Sequence, residues 1–294
     1  MENKPFCFLN VFKPKGITSF DVIFKLRKKL GIKKIGHSGT LDPFAEGVMQ
    51  VAAGNATRLI EYLNSDKEYI ATAKFCYSST TLDTEGEIKE LPYKKISADE
   101  IKNIIKKFKG KIKQTPPKYS AIKVDGQKLC NLARKNPEKE IEIPEREVEI
   151  YDIELLNFED NIAKIKVKCS KGTYIRTLAS DIAKSLGTDA YLTELIRTKA
   201  GNFELKNSVK IEEIDLEKNK INPLEAINLK RYELNDNEYN LIKNGVSIKV
   251  GLIENNTLIM LSYKKHLVSI GYLSDNIIKV EKFFNLGGII WIHL

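Results

Sequence analysis

Apolar and polar positions follow two different periods along this chain, and the places where the period changes mark the elements. Residues 6–12 (FCFLNVF) form a short apolar run and predict a buried strand. Thr18 or Ser19 can then cap a helix whose Ile23, Leu26 and Leu30 fall on one stripe and which Gly31 ends. A glycine-rich stretch over 33–48 (KKIGHSGTLDPFAEGV) leads into a strand over 47–53 and a helix through Leu63. From Tyr69 the period is two, with Tyr69, Ala71, Ala73 and Phe75 on one face. Ser97 to Glu100 (SADE) is a capping box. It opens a helix with Ile101, Ile104, Ile105 and Phe108 on one side, closed by Gly110.

The second half continues in the same way. The segment 114–129 (QTPPKYSAIKVDGQKL) reads as a rigid Pro-Pro stretch, a short strand and an Asp-Gly turn. Over 162–169 alternation is strict, with Ala163, Ile165 and Val167 opposing a row of Lys164, Lys166 and Lys168. Residues 171–187 (KGTYIRTLASDIAKSLG) predict a helix with Thr173 as N-cap and Ile175, Leu178, Ala179 and Ile182 buried. Beyond 222–227 the texture shifts to one helix-like segment and four short β-like runs near 246, 257, 267 and 277. Strands mixed with helices without regular βαβ spacing predict an α+β fold rather than a doubly wound parallel sheet. Two domains are expected, a body over 1–229 and a small β-rich module over 230–294.

Composition narrows the partners. The chain has 294 residues, 42% of them hydrophobic, enough for a sizeable core. It has no run of about 18 apolar residues, the length that spans a membrane. The apolar N-terminal run is too short for a signal-peptide core, so a cytoplasmic protein is expected. Cys7, Cys76, Cys130 and Cys169 lack any C-x-x-C pairing and read as free thiols in a reducing compartment. The net charge is +9, and its placement says more than its size. Residues 1–40 hold nine Lys/Arg against only Glu2 and Asp21, and a second basic block runs over 102–118. Such clusters are either a solvated face or a surface that attracts a polyanion.

Three residues invite a chemical reading. Asp42 stands beside a Gly-Thr turn, where a phosphate cradle would carry a basic residue; it either serves its own turn or reacts. Tyr69, at a strand start, is either a core aromatic or a stacking surface. Arg176, one of seven arginines, sits at a helix start, where the dipole disfavours a cation. A carboxylate or phosphate partner answers that, as does a structural salt bridge. H-E-x-x-H, G-x-S-x-G and G-x-G-x-x-G are absent, and the three histidines are too scattered for a metal site, so no metal or cofactor is implied. A basic chain with a lone carboxylate and aromatics suits chemistry on a nucleobase or its glycosidic bond.

Six blocks carry a resemblance. In order, the chain contains KPKGITSFDVIFKLRKKLGIKKIGHSGTLDPFAEGV, GNATRLIEYL, DKEY, PPKYSAIKVDGQKL, CSKGTYIRTLASDIAKSLG and LTELIRTKAGNF, spanning 13 to about 203. Together they resemble the TruB family of tRNA pseudouridine synthases. The resemblance implies a pseudouridine synthase fold around a central mixed or antiparallel sheet, followed by a PUA-type RNA-binding domain. It also implies cofactor-free isomerisation of uridine 55 in the T-arm of tRNA by a stand-alone, cytoplasmic monomer.

By the same resemblance, Asp42 is the catalytic aspartate, and His37 occupies the space a flipped uridine vacates. Tyr69 stacks on the flipped base, Tyr174 lines its pocket, and Arg176 pairs with Asp42 and is expected to keep it ionised. Leu195 forms an apolar wall. Lys13, grouped with the substrate-binding residues, is expected with Pro14 to support the catalytic loop. Phe44, Glu46 and Cys130 depart from the residues usual in relatives. Two other readings stay open: a tRNA-binding folding helper with incidental or lost catalysis, and a guide-dependent synthase within a ribonucleoprotein.

Overall fold

A computed structural model of the chain describes residues 5–120, 122–124, 126–129, 132, 141–251 and 256–284. Its main sheet is built from β1 (Phe6–Lys13), β2 (Ile35–His37), β3 (Glu46–Gly54), β4 (Lys67–Phe75), β5 (Gly110–Gln114), β6 (Arg146–Glu159), β7 (Ile162–Cys169), β8 (Ala190–Ala200), β9 (Phe203–Glu204) and β10 (Val209–Lys210). The strand order is β10-β1-β3-β8-β4-β7-β6-β5, with β2 added to β3 and β9 to β8. Only β1–β10 and β3–β8 run parallel; the other pairs are antiparallel. The class is α+β, as the sequence pattern predicts.

The period-two pattern of β4 is obeyed along its whole length, with Lys67, Tyr69, Ala71, Ala73 and Phe75 buried and the residues between them half-exposed. Onto that face pack α2 (Ala98–Ile105) and α3 (Ile175–Ser185) through Ile101, Ile105, Ile175, Leu178, Ala179 and Ile182. On the other face, the lysine row of β7 is interleaved with acids. Lys168 lies across from Asp152 and Glu68, and Lys166 reaches Glu68 at 3.2 Å. α1 (Ser19–Leu30) runs from a Thr18–Asp21 capping box to Gly31 at φ 67°, burying Val22, Ile23 and Leu26 against Leu9, Val11, Met49 and Val51.

The C-terminal part forms a five-stranded sheet of Lys230–Glu233, Ile248–Lys249, Thr257–Tyr263, His266–Ser274 and Ile277–Phe283, with the predicted helix at Asp236–Lys243. Its Met260, Leu267, Ile270 and Phe284 share a core with Phe8, Val48, Ala52 and Leu59 of the main body.

Local departures have local causes. The helix expected through Leu63 is a 3₁₀ helix, Asn55–Tyr62. It starts from Gly54 at φ 63°, with no side chain accepting the first N–H groups, and tight i→i+3 bonds result. Thr173 is not the cap of α3. The cap is Tyr174, whose N–H donates to the Gln114 side chain at 3.0 Å, while the Thr173 hydroxyl donates to the Ser170 carbonyl. No side chain caps the first turn of α3; the Gln114 contact fixes the residue that precedes it. α2 stops at Ile105 and tightens into one 3₁₀ turn, and Gly110, at φ 96°, opens β5 instead of closing the helix.

Lys123–Val124 and Gln127–Lys128 pair as a hairpin around the expected Asp-Gly turn. Asp125 of that turn and Cys130 lie outside the described residues. Cys7, Cys76 and Cys169 are buried free thiols. Among the described residues no helix is long and apolar enough to cross a membrane.

Phe8 is fully buried where the two sheets meet. Replacing it with alanine removes a large side chain from a close-packed site, so Phe8→Ala is expected to lower stability by about 3–5 kcal/mol in urea denaturation.

Candidate active site

Asp42 lies in the connection between β2 and β3, residues 38–45. Asp-Pro begins a tight turn there, closed by the Ala45 N–H donating to the Asp42 carbonyl at 3.1 Å. The loop is held from below by buried donors, besides the Ser38 hydroxyl that donates to the Gln50 side chain. The Lys13 ammonium is fully buried and donates to the carbonyls of Pro14, Pro43 and Ala45 at 3.0, 3.3 and 2.7 Å. Arg197, also buried, donates to the carbonyls of Val48, Thr40 and Gly39 at 2.7, 3.2 and 3.3 Å. The Ser19 hydroxyl, at the start of α1, accepts from the Leu41 N–H at 2.8 Å and donates to its carbonyl at 3.0 Å. Gly47 is obligatory beside this clamp: at φ 118° a Cβ would stand 2.3 Å from the Arg197 carbonyl oxygen.

The charged centre is a guanidinium between two carboxylates. Arg176 Nε lies 3.0 Å from Asp42 Oδ2, and Nη1 lies 3.0 Å from Asp83 Oδ2. Nη1 also donates to the Thr81 carbonyl at 2.8 Å and Nη2 to that of Tyr119 at 3.1 Å. All three nitrogens are thereby engaged, which answers the dipole objection to an arginine in the first turn of α3. The two acids differ sharply in exposure. Asp83 keeps 1% of its side-chain surface and Asp42 keeps 34%, so Asp42 is the carboxylate open to a ligand.

The expectation that Arg176 holds Asp42 in the low carboxylate range is not met. Burial among the pocket walls raises the Asp42 pKa; Arg176 pulls it down, Asp83 raises it further and Lys13 opposes, and the balance lies above the ordinary value. The physical reason is first the burial of the carboxyl, which outweighs the pull of Arg176, and then the second acid, Asp83, on the same guanidinium.

The other expected residues fall around this centre in different ways. Tyr69 is buried on β4, across from Arg197 on β8. Burial raises its pKa, with Arg197 pulling the other way, so the hydroxyl stays protonated. Leu195 is buried in the same cluster as Leu41, Phe44, Tyr69 and Ile175. Tyr174, half-buried, immediately precedes α3 and Arg176, and burial raises its pKa too. His37 ends β2, half-buried; burial, then Arg197, pushes its pKa down and favours the neutral ring.

Lys13 supports the loop as expected, and only its grouping with the substrate-binding residues is corrected. Its partners are all backbone carbonyls and none of its surface is open, so it supports the loop and does not line the pocket. Burial lowers its pKa to about 8. Two residues of the site escape sequence reasoning. Asp83, in TLDTEG, reads as one turn acid among 39 Asp and Glu, and Arg197 reads as an ordinary polar position in a strand. Nothing local distinguishes either; only the fold brings them to Asp42.

Residues 27–175 match the family model described as TruB family pseudouridylate synthase, N-terminal domain. The chain is 41% identical over 284 residues to tRNA pseudouridine synthase B of Clostridium tetani, covering 93% of this chain and 98% of that one. It is 52% identical over 195 residues to the protein of that name from Fusobacterium nucleatum, covering 66% and 67%. A chain of the crystal structure of a Cbf5–Nop10–Gar1 complex superposes with a TM-score of 0.72 at 26% identity, covering 95% of this chain and 84% of that one.

Because the folded state raises the Asp42 pKa, ionised Asp42 costs stability. Below the ordinary carboxylate value the group is protonated folded and unfolded, and that cost is absent. It appears as pH rises through the unfolded value and is complete above the folded one. Asp42→Asn is therefore expected to be more stable than the wild type at pH 7, the gap closing on acidification, as read from urea midpoints across pH.

Proposed function

The chain belongs to the TruB family of pseudouridylate synthases, and from that premise we propose that it converts uridine 55 in the T-arm of tRNA to pseudouridine without a cofactor, Asp42 being the reacting group. The observation that carries this reading is a partly open carboxylate held 3.0 Å from a buried guanidinium, on a loop whose backbone is clamped on both sides. The reaction breaks the N1–C1′ bond of uridine and forms C5–C1′; the C5 proton leaves and N1 gains one. It needs no net oxidant or reductant. Asp42 serves either by attacking C1′ or by taking the C2′ proton, and both roles require its ionised form. Arg176 opposes the burial that disfavours that charge and fixes the direction in which Oδ2 points.

The walls supply the rest. Taking a uridine out of its helix costs a few kcal/mol, and stacking on the Tyr69 ring offsets about 1–3 kcal/mol of this. With its hydroxyl protonated, Tyr69 presents a neutral ring to the uracil, and Leu195 and Tyr174 close the pocket so that the freed base rotates without escaping. Neutral His37, on the loop's approach, fills the gap left in the RNA. The five-stranded C-terminal sheet is read as a PUA-type module that adds RNA contacts, the enzyme working as a cytoplasmic monomer. A folding helper alone has no use for a buried arginine held between two acids, which favours catalysis over mere binding.

The test is tritium release from tRNA labelled at C5 of uridine. Asp42→Asn is expected to lose at least about 10³-fold in rate, as removal of a reacting group does, while still binding tRNA. Arg176→Lys, which cannot span both carboxylates, is expected to lower kcat more than it raises KM. Full activity in Asp42→Asn would overturn the assignment.

A further inference from the structure

The outer side of α1 does not look like the solvent side of an ordinary surface helix. Its inner residues, Val22, Ile23 and Leu26, account for its attachment to the body. On the outside, Phe20 and Phe24 stand one turn apart with 65% and 60% of their surfaces exposed, and no other phenylalanine among the described residues is comparably open. Lys28 continues the same row at the next turn, and Lys25 and Lys29 flank it, all exposed. From Phe20 to Lys28 the row rises about 12 Å. The acid within the first turn, Asp21, is engaged by the Thr18 N–H and hydroxyl at 2.8 and 2.6 Å. Helix formation needs neither ring, and leaving both exposed forgoes the gain that burying them would give.

Place and charge identify what covers these rings. Ser19, one residue before Phe20, is bonded in both directions to Leu41, the neighbour of Asp42. The row therefore starts at the edge of the catalytic loop and leads away from it. An aromatic pair surrounded by lysines is the composition that holds a single-stranded or unstacked nucleotide, the rings taking a base and the ammonium groups the phosphates. Two rings ringed with like charges offer too little apolar area for a stable protein interface, which buries about 1,200 Å² or more.

We propose that the outer face of α1 is a second RNA-contact surface, on which an unstacked base of the substrate lies against Phe20 and Phe24 while its backbone follows Lys25 and Lys28. This rests on the reading of the substrate as tRNA and extends it beyond the reacting uridine. The surface acts on affinity by anchoring RNA that flanks the nucleotide delivered to Asp42.

The experiment measures the Kd of full-length chain for a tRNA transcript, as a function of salt, for the wild type, Phe20→Ser/Phe24→Ser, Lys25→Gln/Lys28→Gln and the control Tyr93→Ser, which removes a ring that is 78% exposed elsewhere. The double phenylalanine variant is expected to bind about tenfold more weakly, the low end of what stacked bases contribute. The lysine variant is expected to lower the slope of log K against log salt by about 1–2, and Tyr93→Ser to match the wild type. Equal loss in Tyr93→Ser, or phenylalanine and lysine variants within twofold of the wild type, overturns the proposal. So does a wild-type dimer in sedimentation that the phenylalanine variant abolishes while its Kd for tRNA is unchanged. Wild-type tritium release from the same transcript is measured alongside: its absence would fail the proposed function, whereas its presence with unchanged Kd in the variants would fail this surface alone.

Discussion

The Arg176 guanidinium is the contact around which this molecule is arranged. Two carboxylates and two carbonyls meet it, from residues as distant in sequence as Asp42, Thr81, Asp83 and Tyr119. A buried cation is tolerated only where its charge is compensated, and leaving such a charge without any carboxylate typically costs about 3–5 kcal/mol. The sheet that carries the Asp42 loop, the turn that carries Asp83 and the helix that carries Arg176 must therefore come together as a unit. Burial, with the second acid Asp83 adding to it, explains why Asp42 sits above the ordinary carboxylate range while facing a positive charge.

The second constraint is on the backbone of the Asp42 loop. Loops at reactive sites are usually held by their own turns and by water; here two buried cations and a serine take the carbonyls of Gly39, Thr40, Leu41, Pro43, Ala45 and Val48. Among the described residues, neither Lys13 nor Arg197 has a carboxylate within salt-bridge distance, and carbonyl dipoles offset the desolvation of each. The outcome is a carboxylate whose direction is set by packing, which matters more for a reaction at a sugar carbon than raw nucleophilicity does. Burying charge this way lowers stability, and it is the kind of local cost found at reactive sites.

Much of the fold was legible in the chain. The strand at Phe6, the Thr18 and Ser97 caps, the alternation from Tyr69 and the β-strands near 257, 267 and 277 all follow from periods and capping residues, because those signals are local. The errors are equally instructive. Thr173 has the chemistry of a cap, but Gln114 on another strand reaches the Tyr174 N–H. The run after Gly54 has helical composition, but it begins uncapped from a left-handed glycine and tightens to 3₁₀. In both cases a partner or a backbone turn absent from the local pattern decided the outcome.

The same division holds at the site. By itself, the sequence determined that Asp42, Tyr69 and Arg176 were the residues to explain, since an acid in a glycine-rich turn and an arginine at a helix start conflict with their surroundings. It could not say that Asp83 shares Arg176 or that Arg197 clamps the loop. Those facts depend on β8 pairing with both β3 and β4, which brings Arg197 against Gly47 on one side and Tyr69 on the other. Local propensity is written in neighbouring residues. A charge network is decided by which distant strands lie side by side, and only the tertiary structure fixes that.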